Sequence, residues 1–179
     1  MSLFTWWERR RQRRRARIYE GPSPEIDGGT RIRRDTSAPK EIVSEELVRF
    51  FCRFSTLSLI DEEGLLPGVY SFGASKEAEG VVCTADCTNP QVLRGERRDV
   101  RTEAFLAELD ALLRRYDVAR YNGQYYKVSG LPDFFGVTVD AAYASGETLY
   151  CYNNQDPFLS PAMVGELCRL YGIGQEEET

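Results

Sequence analysis

Seven arginines stand within nine positions near the start of the chain: Arg9, Arg10, Arg11, Arg13, Arg14, Arg15 and Arg17, with Trp6 and Trp7 just ahead of them. A guanidinium stays charged at physiological pH, and its planar fork grips phosphate or carboxylate with two parallel hydrogen bonds. The run is therefore chemistry for an anionic partner. An RNA or DNA backbone suits it, because arginine-rich segments fold on RNA and such binding weakens steeply with salt. A membrane surface suits it too. Indole rings favour the headgroup level, and each basic residue near anionic lipid contributes about 1 kcal/mol. Leu3, Phe4, Trp6 and Trp7 cluster at one end of the arm, and a nucleic-acid arm has less need of them. The plainest alternative is a solvated tail, or one that docks on an acidic domain, its own included. The expectation is a tether to a membrane surface or acidic protein through these arginines, with Trp6 and Trp7 engaged if the surface is lipid. RNA or DNA association through the same arm is the alternative.

A second group lies in the C-terminal half: Tyr121, Asn122, Tyr125, Tyr126, Tyr143, Tyr150 and Tyr152, then Asn153, Asn154, Gln155 and Asp156. Tyrosine rings beside amides can stack on, and hydrogen-bond to, sugars, peptides or bases. The same residue types also make ordinary cross-strand packing and strand-ending turns. The candidate ligand surface is Tyr121, Asn122, Tyr125, Tyr150, Tyr152, Asn153 and Asn154, provided that Tyr150 and Tyr152 project from one face.

Catalytic constellations are scarce. The chain has no histidine, which excludes Ser-His and Cys-His nucleophiles and histidine-ligated metals. Glycine-rich phosphate loops are absent. Glu62, Glu63 and Asp86 sit in charged loops, so a carboxylate-dependent enzyme is the third and least favoured reading, and the expectation is a non-enzyme with no catalytic residue. Cys52, Cys83, Cys87, Cys151 and Cys168 are an odd number of thiols scattered through apolar patterns, as expected of buried, reduced side chains. Cys83 and Cys87 are spaced wrongly for a zinc pair and have no second pair to join, so neither a metal nor a cofactor is expected.

Charge divides the chain. Residues 1 to 34 hold ten arginines against Glu8, Glu20, Glu25 and Asp27, a net of +6, while the remaining 13 basic and 24 acidic residues give the rest −11. Residues 20 to 40 carry prolines, glycines and few apolar groups, the composition of a linker. The expected organisation is a basic arm and linker over 1–39, one domain over 40–172 and an acidic tail over 173–179. No apolar run approaches the ~20 residues of a membrane span, and no export signal is recognisable, so a cytoplasmic location is expected, at a membrane periphery if the arm binds lipid.

Alternating apolar residues predict strands at Val48–Phe54, Tyr70–Ala74, Val81–Ala85, Val137–Tyr143 and Leu149–Cys151. Helical spacing of Phe105, Leu106, Leu109, Leu112, Leu113 and Tyr116 predicts a helix that Thr102 caps, and Ser160-Pro161 opens another through Tyr171 to Gly172. The order β-β-β-α-β-β-α implies an α+β fold in two layers, a mainly antiparallel sheet with two amphipathic helices on one face.

The run YNGQYYKVSGLPDFFGVTVDAAYASGETLYCYNNQDPF, residues 121 to 158, resembles an uncharacterised bacterial domain family. That family has an NG-containing segment, a GLP-type turn, a YASGE hairpin, an NNQ-like strand end and a closing helix. APKEIVSEELVRFFCRFSTLSL, residues 38 to 59, is similar to its opening strand. The resemblance, over about residues 38 to 171, implies a small α+β fold and brings no activity or functional residue with it. The arginine arm lies outside that pattern.

Overall fold

A computed structural model describes residues 29–56, 65–155 and 157–173. Trp6, Trp7 and the seven arginines from Arg9 to Arg17 lie outside these residues, as do Glu62, Glu63 and Asp156.

The protein is an α+β fold. In chain order its elements are β1 (Thr30–Arg34), β2 (Leu47–Ser55), β3 (Val69–Glu77), β4 (Gly80–Cys87), β5 (Arg97–Arg101), α1 (Ala104–Arg115), a 3-10 turn (Val118–Tyr121), β6 (Gln124–Val128), β7 (Val137–Tyr143), β8 (Thr148–Asn153) and α2 (Pro161–Tyr171). The strands form a sheet in the order β1-β6-β8-β7-β2-β3-β4-β5. All neighbours are antiparallel except β6 and β8.

Alternation along β2 sends Phe50, Cys52 and Phe54 to one side, where they are opposite Ala74, Phe72 and Tyr70 of β3 and Ala141, Val139 and Val137 of β7. These residues share one buried core with Leu106, Leu109 and Leu113 of α1 and with Met163, Val164 and Leu167 of α2. Burying each such side chain contributes roughly 1.5–3 kcal/mol. Tyr171 of α2 joins three elements, with its ring 5.0 Å from both Phe72 of β3 and Phe105 of α1.

Helix α2 begins as its sequence implies: Ser160 Oγ accepts from the Met163 N–H, Pro161 follows, and Gly172 ends the helix at φ 67. Helix α1 differs in its cap. Glu103 occupies the N-cap without a side-chain bond, and Thr102 offers its carbonyl, not its hydroxyl, to the Phe105 N–H at 3.1 Å.

The element order needs one correction, because β1, β5 and β6 lie in stretches whose composition suggests linker or loop. Each is only five residues long, and TRIRR, RRDVR and QYYKV are polar on at least one face. Strands β1 and β5 close the two ends of the sheet, where arginines discourage pairing with another chain and no apolar stripe is needed. The β5 arginines have a second use. Arg97 and Arg101 donate to the carbonyls of Gly172 and Leu170, at the negative end of the α2 dipole. The sheet thus starts at Thr30, ahead of the boundary expected near Pro39.

All five cysteines are buried and none is in a disulfide. Burial pushes the Cys83 and Cys168 thiols up to about 12, far above neutral pH, so they stay protonated. Among the described residues no group of three or more Cys, Asp or Glu could hold a metal ion, and no helix is long and apolar enough to cross a membrane.

Candidate functional site

The residues of β2 that alternate with its core set are Arg49, Phe51 and Arg53, and strand register extends each into a row across the opposite face. One row runs Tyr125, Tyr152, Thr138, Arg53, Ser71, Asp86. The next runs Tyr150, Asp140, Phe51, Gly73, Thr84. The result is a ladder of hydroxyls, rings and charges on a face that could have been apolar.

Tyr125 and Tyr152 stack with centroids 4.8 Å apart and planes inclined by 23°. The Tyr152 hydroxyl lies 3.3 Å from Asp133 Oδ1, which also accepts from Lys127 Nζ at 2.6 Å. Arg49 Nη2 lies 3.6 Å from Asp140 Oδ1, and both side chains are about nine-tenths buried. The Arg53 guanidinium sits 5.7 Å from the centre of the Phe51 ring. A buried pair such as Arg49–Asp140 gains little net stability, because desolvating both charges offsets their attraction. Its contribution is to hold two oriented charges in the sheet face. Gly73 gives the face room. A Cβ there would stand 2.5 Å from Thr84 Oγ1.

The amides have other duties. Asn122 is buried; its Nδ2 donates to the carbonyls of Pro39 and Thr148 at 3.0 and 2.8 Å, and its Oδ1 accepts from the Tyr150 N–H at 2.8 Å. Asn154 is buried as well. Its Oδ1 accepts from the Val128 N–H, and its Nδ2 donates to the carbonyls of Val128 and Leu131. The two amides rivet β6 to β8 at either end of a parallel ladder only two residue pairs long, Tyr125 with Tyr152 and Tyr126 with Asn153. Asn153 Oδ1 caps the following turn by accepting from the Gln155 N–H. Tyr121 packs on Phe158 at 4.7 Å and takes the Arg120 guanidinium over its ring.

Of the candidate surface, the fold brings Tyr125, Tyr150 and Tyr152 onto one face. It spends Asn122 and Asn154 on backbone, leaves Tyr121 in the 3-10 turn, and puts Asn153 at the end of β8 with its side chain on the turn that follows. Arg49, Arg53, Asp140 and Thr138 join the tyrosines without having been singled out from sequence. Their signal was present: Arg49 and Arg53 sit on the polar phase of β2, and Asp140 is a lone charge in the apolar run VTVDAAY.

Around α1 a different network forms. Asp110, buried on α1, accepts from the Tyr143 hydroxyl at 2.8 Å and from Arg114 Nε at 2.7 Å. Arg114 also donates to the carbonyls of Ile42 and Ser44, which straps residues 42–44 to α1. Burial and the Asp110 carboxylate push the Tyr143 hydroxyl well above its ordinary range.

No protein-family model, curated protein or solved structure matches this chain.

Proposed function

We propose that the protein is a non-enzymatic binding module tethered by its basic arm to an anionic partner, a membrane surface or an acidic protein. The observation that carries this reading is the charge division, +6 over residues 1 to 34 against −11 over the rest. An arm of that sign is drawn to anionic surfaces while the acidic body is repelled by them, so contact is confined to the arm. On this reading the domain is a two-layer body whose helices share one face, and it works in the cytoplasm at a membrane periphery. On the other face Tyr152, Thr138, Asp140 and Phe51 are buried and Tyr125 and Tyr150 half-buried, so a polar ligand there would meet those two rings at the rim of the ladder and not its centre.

The test is co-sedimentation of the full chain with anionic liposomes, with and without competing RNA. Replacing the seven arginines from Arg9 to Arg17 by glutamine should abolish pelleting, and Trp6→Ala with Trp7→Ala should weaken it. Displacement by RNA, with binding lost at high salt, would favour the nucleic-acid alternative. If full-length protein neither pellets nor retains RNA, both the membrane tether and the nucleic-acid alternative are refuted.

A further inference from the structure

A cleft of about 390 Å³ opens on the helix side of the sheet, lined by Lys40, Glu41, Ile42, Leu113, Asp117 and Leu149 among others. Its size falls within the range of small-molecule sites. Ile42, Leu113 and Leu149 are core residues and make an apolar floor.

The cations at this cleft are committed to the fold. Arg114 uses its three nitrogens on Asp110 and on the carbonyls of Ile42 and Ser44, and Lys40 Nζ donates to the Asn122 carbonyl. The carboxylates are not so committed. The Asp117 backbone is paired, its N–H donating to the Arg114 carbonyl and its carbonyl accepting from the Arg120 N–H, but its carboxylate makes no cap bond and no hydrogen bond or ion pair among the described residues.

Asp117 is also a costly residue at its position. It follows the C-terminal end of α1, and among the described residues it is the non-glycine residue with positive φ, at 48°. Glycine or asparagine would adopt that conformation more easily, and the negative end of the helix dipole disfavours a carboxylate. Strain of this kind, beside a cleft, points to use.

We propose that this cleft binds a small aliphatic amine, its alkyl stem on the Ile42–Leu113–Leu149 floor and its ammonium against Asp117, with Glu41 as the second carboxylate at the rim. The net charge of −11 on residues 35 to 179 draws such a cation in. The inference is independent of the arm and of the tyrosine ladder, which lies on the other face.

The test is a heteronuclear NMR titration of the full chain with 1,5-diaminopentane, with 1,5-pentanediol and glutarate as neutral and anionic controls. The diamine should give saturable shifts at the Asp117 and Ala119 amides and the Ile42, Leu113 and Leu149 methyls, while neither control does. Asp117→Asn keeps a residue suited to positive φ, so its thermal midpoint should equal or exceed that of the parent while diamine affinity falls at least tenfold. No saturable shift with the diamine, equal affinity in the variant, or equally tight binding of glutarate would each overturn the proposal.

Discussion

Replacing Asn154 by alanine should loosen the β1–β6 ribbon from the rest of the sheet. The Asn154 side chain makes three hydrogen bonds, at 2.7 and 3.0 Å to the Val128 N–H and carbonyl and at 3.2 Å to the Leu131 carbonyl. Beside them the β6/β8 ladder has two residue pairs. A hydrogen bond of this kind contributes about 1 kcal/mol net, and a partner left unsatisfied costs about 1–3 kcal/mol. Val128 is only half-buried, so water recovers part of that loss. The expected destabilisation is about 2–4 kcal/mol, against a typical domain stability of about 5–15 kcal/mol. Urea unfolding gives the magnitude, and amide hydrogen exchange gives the location: protection should fall first at residues 124–128 and 30–34. Asn154→Asp sharpens the test. It keeps the acceptor for the Val128 N–H but turns a negative oxygen toward two carbonyls, which raises its folded pKa above the unfolded value of about 3.9. The penalty is then full at neutral pH and shrinks as pH falls through the folded pKa. A loss below ~1 kcal/mol for the alanine variant, or exchange rising uniformly across the sheet, would refute the idea that Asn154 is a rivet.

Gly136→Ala should destabilise by about 2–3 kcal/mol or more, because a Cβ there would stand 2.0 Å from the Asn153 carbonyl oxygen and backbone must move; an unchanged thermal midpoint would contradict this. Glu147 accepts from the Val43 and Ser44 N–H groups, which hold its carboxyl below the usual range. A depressed folded pKa adds stability above the unfolded value of about 4.3 that is lost as pH falls through the folded value. Glu147→Gln should therefore flatten the acid limb of a stability–pH profile, and an unaltered limb counts against that role. Asp140→Ala should cost about 3 kcal/mol by leaving Arg49 buried without this carboxylate, and Arg49→Met in the same background should cost less than the single changes summed. A double-mutant cycle with strictly additive losses would show the two groups uncoupled.

The sequence alone determined the elements that bury an apolar stripe. Strands β2, β3, β4, β7 and β8 and both helices are legible because burial imposes a period of two or 3.6 on successive residues, a record that one segment carries by itself. The same logic announced the α+β class, and cap chemistry announced the Ser160-Pro161 start of α2. Tertiary structure alone decided the rest. QYYKV is a strand because β1 and β8 flank it, and RRDVR is one because β4 and the carbonyls at the end of α2 use its backbone and its arginines. Asp110 looks misplaced on the apolar face of α1 until Tyr143, 33 residues on, supplies its proton donor. Asn122 and Asn154 read equally well as ligand amides or as rivets, since an amide has the same donors and acceptors in either use. Tyr125 and Tyr152 become a stacked pair only where a short parallel ladder aligns them. Burial is a property of one residue in its segment, so it leaves a local pattern; partnership belongs to two residues far apart in the chain, and only the folded sheet brings them together.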